Sequence, residues 1–92
     1  MRDTRYVNAS SPEEIKPPKD KARDFLFIQN TSEDAVYYEE GMIATSENGI
    51  EIGAGQFVEF DRSMGRAVPP GNIWITGSVV APNRQRIIVK QG

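Results

Sequence analysis

Residues 24–61, DFLFIQNTSEDAVYYEEGMIATSENGIEIGAGQFVEFD, decide the fold of this chain. Short runs rich in Phe, Tyr, Ile and Val are separated there by Gly, Asn, Ser and Asp, the residues that favour turns. This pattern predicts strands at 24–30, 35–40, 49–52 and 56–61, with a hairpin turn at 53–55. No window keeps the i, i+3, i+4, i+7 spacing of apolar residues for three turns, so helices are not expected.

The same pattern continues towards the C-terminus. Residues 72–80 (NIWITGSVV) and 85–90 (QRIIVK) are predicted strands, each preceded by a proline-containing turn sequence. Alternation places Ile73 and Ile75 on the core side of the fifth strand and Trp74 on the opposite side. Six antiparallel strands at this spacing predict an all-β fold, a small antiparallel β-sandwich or jelly-roll-like barrel, over residues 25–92.

Residues 1–24 differ in composition from the rest of the chain. They contain eleven charged residues and three prolines, and their only sizeable apolar side chains are Tyr6, Val7 and Ile15. We therefore predict an extended N-terminal arm that is disordered, or ordered only by packing on another chain. A short helical turn at 11–14 is compatible with the sequence Ser-Pro-Glu-Glu.

Composition limits the chemistry of this 92-residue chain, which contains neither Cys nor His and has a net charge of −2. Ser-His-Asp and Cys-His nucleophiles, imidazole acid–base catalysis and ordinary zinc sites all need one of those residues. The neighbouring Glu39 and Glu40 would point to opposite faces of a strand, so they do not form a catalytic carboxylate pair. We predict no catalytic residue, cofactor or metal site. The longest run of large apolar residues, 25–28, predicts neither a signal peptide nor a transmembrane span.

Charge divides the predicted sandwich into two halves. Residues 25–60 sum to −7 and residues 61–92 to +4. The opposite charges can be satisfied within one chain, or between copies in a head-to-tail ring. A small chain without disulfide or metal is expected to gain contact area by forming a homo-oligomer. The candidate interface residues are Tyr6, Val7, Ile15, Phe25, Phe27, Tyr37, Glu39, Glu40, Arg62, Arg66, Trp74, Arg84 and Arg86. Because no aromatic residues interleave the arginines and the net charge is negative, no nucleic acid is expected as a partner, nor a membrane.

Residues 23–60 resemble a family of small β-proteins encoded by tailed bacteriophages. The resemblance is carried by Arg23, Leu26, Ile28, Gln29, Asn30 and Ser32, then an aromatic strand ending near Gly41, and then Ala44, Thr45, Gly49, Ile50, Ile52 and Gly55. It implies a virion structural protein without catalytic residues, similar to jelly-roll or sandwich decoration proteins of the capsid.

The resemblance leads to a functional hypothesis. We expect a non-enzymatic protein that decorates or cements the capsid surface through its arm and its oligomer contacts, after synthesis in the cytoplasm of the host bacterium. Its partners would be its own copies and the major capsid protein or another virion protein. A homotrimer is predicted by analogy with decoration proteins at capsid three-fold positions. The alternatives are a tail-associated receptor- or carbohydrate-binding module, with Trp74, Tyr37 or Tyr38 as the stacking platform, and a small carboxylate enzyme.

Overall fold

Eight β-strands make up the fold in a computed structural model, which describes residues 2–92. The strands are β1 (Arg2–Val7), β2 (Glu13–Ile15), β3 (Phe25–Asn30), β4 (Val36–Glu40), β5 (Ile50–Ile52), β6 (Phe57–Asp61), β7 (Ile73–Thr76) and β8 (Gln85–Gln91). A single 3₁₀ turn, Arg62–Met64, follows β6, and the described residues include no α-helix. All six strands predicted from residue 24 onwards are present. The strand predicted at 72–80 is β7, and it ends at Thr76. It goes no further because Gly77 donates its N–H to the carbonyl of Asn8 rather than to a neighbouring strand.

The strands form two four-stranded antiparallel sheets that pack face to face. The first sheet has the order β1-β8-β3-β6 and the second has the order β2-β7-β4-β5. Every connection crosses from one sheet to the other except the one between β4 and β5. This is the double Greek key of an eight-stranded jelly roll. The predicted fold class is therefore confirmed. The turn at 53–55 was predicted to close a hairpin, but it links β5 to β6 in the opposite sheet.

The N-terminal residues belong to the sandwich itself, which corrects the predicted arm. Strand β1 pairs with β8 from Arg2↔Lys90 to Val7↔Gln85, and β2 pairs with β7. The helical turn that the sequence allowed at 11–14 is not formed, because β2 begins at Glu13. Both strands lie at the edge of their sheets, where few inward apolar side chains are needed and charged residues are common. Composition alone therefore made an edge-strand segment look like an unstructured arm.

The core lies between the two sheets and contains buried side chains from every strand except β6, whose residues Val58 and Phe60 are partly buried against it. Its fully buried members are Val7, Ile15, Leu26, Ile28, Val36, Tyr38, Ile52, Ile73, Ile75, Ile87 and Val89, with Val58, Phe60 and Val68 packed against them. The predicted core side of β7 is confirmed, since Ile73 and Ile75 are both buried while Trp74 is only half-buried. Strand β3 is apolar on both sides, with Phe25 and Phe27 on the outer one.

Candidate functional site

The outer side of the second sheet carries carboxylates around two aromatic rings. Strand register places Trp74 between Glu14 of β2 and Glu39 of β4, and places Tyr37 between Thr76 and Glu51. Residues that are directly opposite on paired strands share one face of the sheet. The four strands of this sheet contain no Lys or Arg at all. We call the face formed by Glu14, Tyr37, Glu39, Glu51, Trp74 and Thr76 the acidic face.

The outer side of the first sheet carries cations that lie on aromatic rings. The Arg84 guanidinium is 4.1 Å from the centroid of the Tyr6 ring, and the Lys90 ammonium is 5.3 Å from that of Phe27. Phe27 is in turn stacked on Phe57 with 5.4 Å between the ring centroids. Arg86 and Ile88 occupy the outward positions of β8 between these two groups. Register also places two carboxylates of β6 on this side, Glu59 opposite Phe27 and Asp61 opposite Phe25. We call the face formed by Tyr6, Phe27, Phe57, Arg84, Arg86, Ile88 and Lys90 the basic face.

The charged side chains of the two faces form no ion pair within the described part of the chain. The ion pairs among the described side chains are Arg5–Asp3, Lys21–Asp24 and Arg62–Asp24. None of them joins the acidic half, 25–60, to the basic half, 61–92, and none involves a charged residue of either face. The sequence left open whether the opposite charges pair within one chain or between copies. Pairing within one chain is not seen among the described side chains. Three carboxylates and three cations remain on opposite sides of one sandwich.

The structure divides the candidate interface residues into three groups. Tyr6, Phe25, Phe27, Tyr37, Glu39, Trp74, Arg84 and Arg86 lie on the outer sides of the sheets, where a partner can reach them. Val7 and Ile15 are enclosed in the chain's own core, so their assignment to an interface is wrong. Arg62, Arg66 and Glu40 lie outside both faces. Arg66 covers the Phe60 ring, Glu40 accepts the N–H of Gly71, and Arg62 donates to the carbonyl of Arg23.

Arg23 is the most polar group in the interior, with 1% of its surface exposed. Its guanidinium donates to the carbonyls of Pro69 and Gly71, to that of Ile15, and to the side-chain oxygen of Gln91. Burial lowers its pKa from the ordinary value, and the charge of Glu40 opposes that shift. The guanidinium thus ties the loop before β7 to the end of β2 and to the end of β8.

Two buried amides make similar connections at the other end of the sandwich. Asn30 donates to the carbonyls of Asp34, Ile52 and Gly53, and its oxygen accepts from Ser32. Gln85 donates to the carbonyls of Asp34 and Ala35 and accepts from the N–H groups of Ser78 and Val79. The polar positions Arg23, Asn30 and Ser32, which carry the resemblance, are therefore structural. Sequence analysis missed Gln85, because nothing in its neighbourhood distinguishes it from a surface amide.

Tyr38 is not a stacking platform, because its ring is 8% exposed and belongs to the core. Burial raises the pKa of its hydroxyl above the ordinary value, the charge of Glu39 adds to the rise, and Arg66 opposes it. The folded chain therefore holds this proton more tightly than the unfolded chain does. The stability that results is complete below about pH 10, the ordinary tyrosine pKa, and is lost as the pH rises above it.

A Tyr38→Phe variant should lose less stability in alkali than the unmodified chain. The substitution removes the group that must ionise against its surroundings, while keeping the ring in the core. We expect the urea midpoint to fall less between pH 9 and 11 in this variant than in the unmodified chain. Tyr37→Phe, which removes a hydroxyl from the outer side of the same strand, is the control and should retain the original pH dependence. Identical alkaline profiles for Tyr38→Phe and the unmodified chain would contradict the assignment.

A cleft of about 400 Å³ opens beside the acidic face. Tyr37 and the hydroxyl-bearing residues Thr45, Ser46, Thr76 and Ser78 contribute to its lining. The hydroxyl of Thr76 is buried and has no hydrogen-bond partner. No charged side chain lines the cleft, so it suits a neutral ligand that has both apolar and hydroxyl-bearing surface.

The described residues hold no group of three or more Asp, Glu, His or Cys side chains arranged to bind a metal ion. Nor does this part of the chain contain a helix with the length and apolar character needed to span a membrane. Comparisons with protein-family models, with curated proteins and with solved structures found no match. The fold and the positions of its charged side chains define the chain as a jelly-roll protein with two opposite outer faces of unlike charge.

Proposed function

We propose that this chain is a non-enzymatic structural protein of a tailed bacteriophage virion, which decorates or cements the capsid surface. The observation that carries the proposal is the pair of opposite outer faces, whose charges form no ion pair among the described side chains. Jelly rolls are a recurrent architecture of viral capsid proteins, and the resemblance over residues 23–60 points to the same setting. The protein would be made in the host cytoplasm, and we expect no membrane partner. Its net charge of −2 argues against nucleic acid as a partner.

Attachment through an N-terminal arm is no longer part of this proposal, since β1 and β2 are strands of the sandwich. The outer faces take over that role. One face can contact the major capsid protein or another virion protein while the other contacts a second copy. Many identical copies on one particle then hold the shell together by avidity, even where each contact is weak.

Immunolabelling of virus particles tests the proposal directly. Antibodies raised against the purified chain should label the heads of particles released from the host that carries the gene, in a regular pattern visible by negative-stain microscopy. Label confined to the tail would favour receptor binding instead. Particles that carry no label on head or tail, although the protein is detected in the infected cell, would overturn the virion assignment.

Self-association is the second part of the proposal, and Trp74 is its most sensitive residue. A large aromatic ring at the centre of an interface commonly supplies much of the binding energy. We expect Trp74→Ala to weaken self-association at least about 30-fold, measured by analytical ultracentrifugation. Met64→Ala removes an exposed apolar side chain from the 3₁₀ turn, away from both faces, and should leave association unchanged. A chain that stays monomeric at high micromolar concentration would overturn self-association. The trimer expected from the sequence stays a prediction that the same measurement tests.

Carbohydrate binding is a second candidate function, and the cleft beside Tyr37 favours it. Lectin domains share the jelly-roll architecture, and a neutral cleft with hydroxyl groups and an aromatic residue suits a sugar. Titration of the isolated protein with simple hexoses and with host surface polysaccharide tests this candidate. Saturable binding that Tyr37→Ala abolishes and Tyr6→Ala preserves would support it, and the absence of binding at millimolar sugar would exclude these ligands.

A further inference from the structure

We propose that the acidic face of one copy binds the basic face of the next, so that the chains associate head to tail. This inference rests on the proposed self-association and names the two surfaces that meet. The sequence indicated only that two halves of the chain carry opposite charges. The inference names the side chains that meet, which lie on opposite sides of one sandwich.

Charge complementarity is the first argument. Glu14, Glu39 and Glu51 have no cation within ion-pair distance among the described side chains, and the cations of the basic face have no carboxylate within that distance. Placing one face against the other provides each set with partners of opposite sign. Such complementarity sets the orientation and register of a contact more than it sets its affinity.

Apolar area is the second argument, because exposed ion pairs contribute only about 0–1 kcal/mol each. The acidic face has the half-buried Trp74 between two carboxylates, and the basic face has Tyr6 and Phe57, which are 45% and 57% exposed. An arginine stacked on a ring, as Arg84 is on Tyr6, keeps its N–H groups free to meet a carboxylate at its edge. The Cα extents of 37 × 23 × 23 Å leave room on each face for the roughly 800 Å² per partner of a standard interface.

The same charges decide against a symmetrical contact through the acidic face. In a two-fold dimer of that kind the three carboxylates would approach three carboxylates. Like charges brought together in an interface are strongly unfavourable. A contact between unlike faces avoids this repulsion. Because the two faces lie on opposite sides of the sandwich, such a contact continues as a stack, and a ring closed at three copies would need a different surface.

Charge reversal of one face at a time tests the inference. The first variant, Glu39→Lys with Glu51→Lys, reverses the acidic face, and the second, Arg86→Glu with Lys90→Glu, reverses the basic face. Each variant alone should self-associate at least about tenfold more weakly than the unmodified chain. An equimolar mixture of the two should associate as the unmodified chain does, since every unlike pair of faces is restored.

The controls reverse two charges of the same sign outside the strands that form the faces. Glu33→Lys with Asp34→Lys, in the loop between β3 and β4, matches the first variant, and Lys19→Glu with Lys21→Glu matches the second. Both controls should associate normally, and circular dichroism and thermal melting confirm that every variant is folded. The inference is overturned if either face variant associates like the unmodified chain, or if the folded variants fail to associate when mixed.

The outcome is separable from the virion assignment. Unlabelled virus particles together with recovery in the mixture would leave the head-to-tail contact standing and remove the virion role. Labelled heads together with variants that associate normally would do the reverse.

Discussion

A chain that lacks residues 1–15 should not fold. The deletion removes β1 and β2, and with them the core side chains Val7 and Ile15, which are 1% and 0% exposed. Emptying a buried aliphatic position commonly costs about 2–5 kcal/mol. The whole domain is expected to be stable by only about 5–14 kcal/mol at roughly 0.05–0.15 kcal/mol per residue. The deletion should therefore abolish the cooperative urea transition and the β-sheet signal in circular dichroism.

The deletion also opens the edges of both sheets. Strand β8 pairs with β1 along six residue pairs, and it contains the apolar run Ile87, Ile88 and Val89. An exposed apolar edge of this kind invites pairing with other chains, so the truncated protein should aggregate. Tyr6→Ala is the control, since it changes β1 only on its outer side and should melt within a few degrees of the unmodified chain. A truncated chain that melts normally and remains monodisperse would restore the interpretation of these residues as an arm.

The strands from residue 24 onwards could be predicted because each carries its own signal. Alternating apolar residues, Gly and Pro turns and the absence of helical periodicity are local, and they identified all six. Strands β1 and β2 could not be recognised, because each buries a single apolar residue in a stretch of mostly charged and polar side chains. The other two edge strands, β5 and β6, were recognised because each contains at least two apolar residues. Strand order could not be predicted from the sequence either. It depends on contacts between residues that lie far apart in the chain, such as the hydrogen bond from Gly77 to Asn8.

The charged faces could not be predicted from the charge division of the sequence. Residues 25–60 and 61–92 carry opposite net charges, but each sheet contains strands from both halves. The sequence did not show that Glu14, from the supposed arm, joins the acidic face, or that Arg84 lies on the Tyr6 ring. Aromatic residues do interleave the basic side chains, but only across strands. Such pairs cannot be recognised from spacing along the sequence, because the first sheet places β1 beside β8, which come from opposite ends of the chain.

Replacing Arg23 by Met should destabilise the fold by about 3–5 kcal/mol and lower the melting temperature by roughly 15 °C or more. Methionine fills much of the same space but donates no hydrogen bond. The carbonyls of Ile15, Pro69 and Gly71 then lose their donor in a site where the Arg23 side chain itself is 1% exposed. Buried acceptors without partners are costly, and here they fix the junction of three segments. Thermal melting followed by circular dichroism at neutral pH measures the effect.

Arg23→Lys separates the geometry of the guanidinium from its charge. An ammonium group keeps the positive charge, but it cannot reach four acceptors that a planar fork meets in different directions. We therefore expect Arg23→Lys to melt closer to Arg23→Met than to the unmodified chain. Arg62→Met removes an exposed arginine from the neighbouring segment and should change the melting temperature by only a few degrees. If Arg23→Lys were as stable as the unmodified chain, charge alone would explain the buried arginine. The directed hydrogen bonds of the guanidinium to β2, to the loop before β7 and to the end of β8 would then contribute little to the stability of this end of the sandwich.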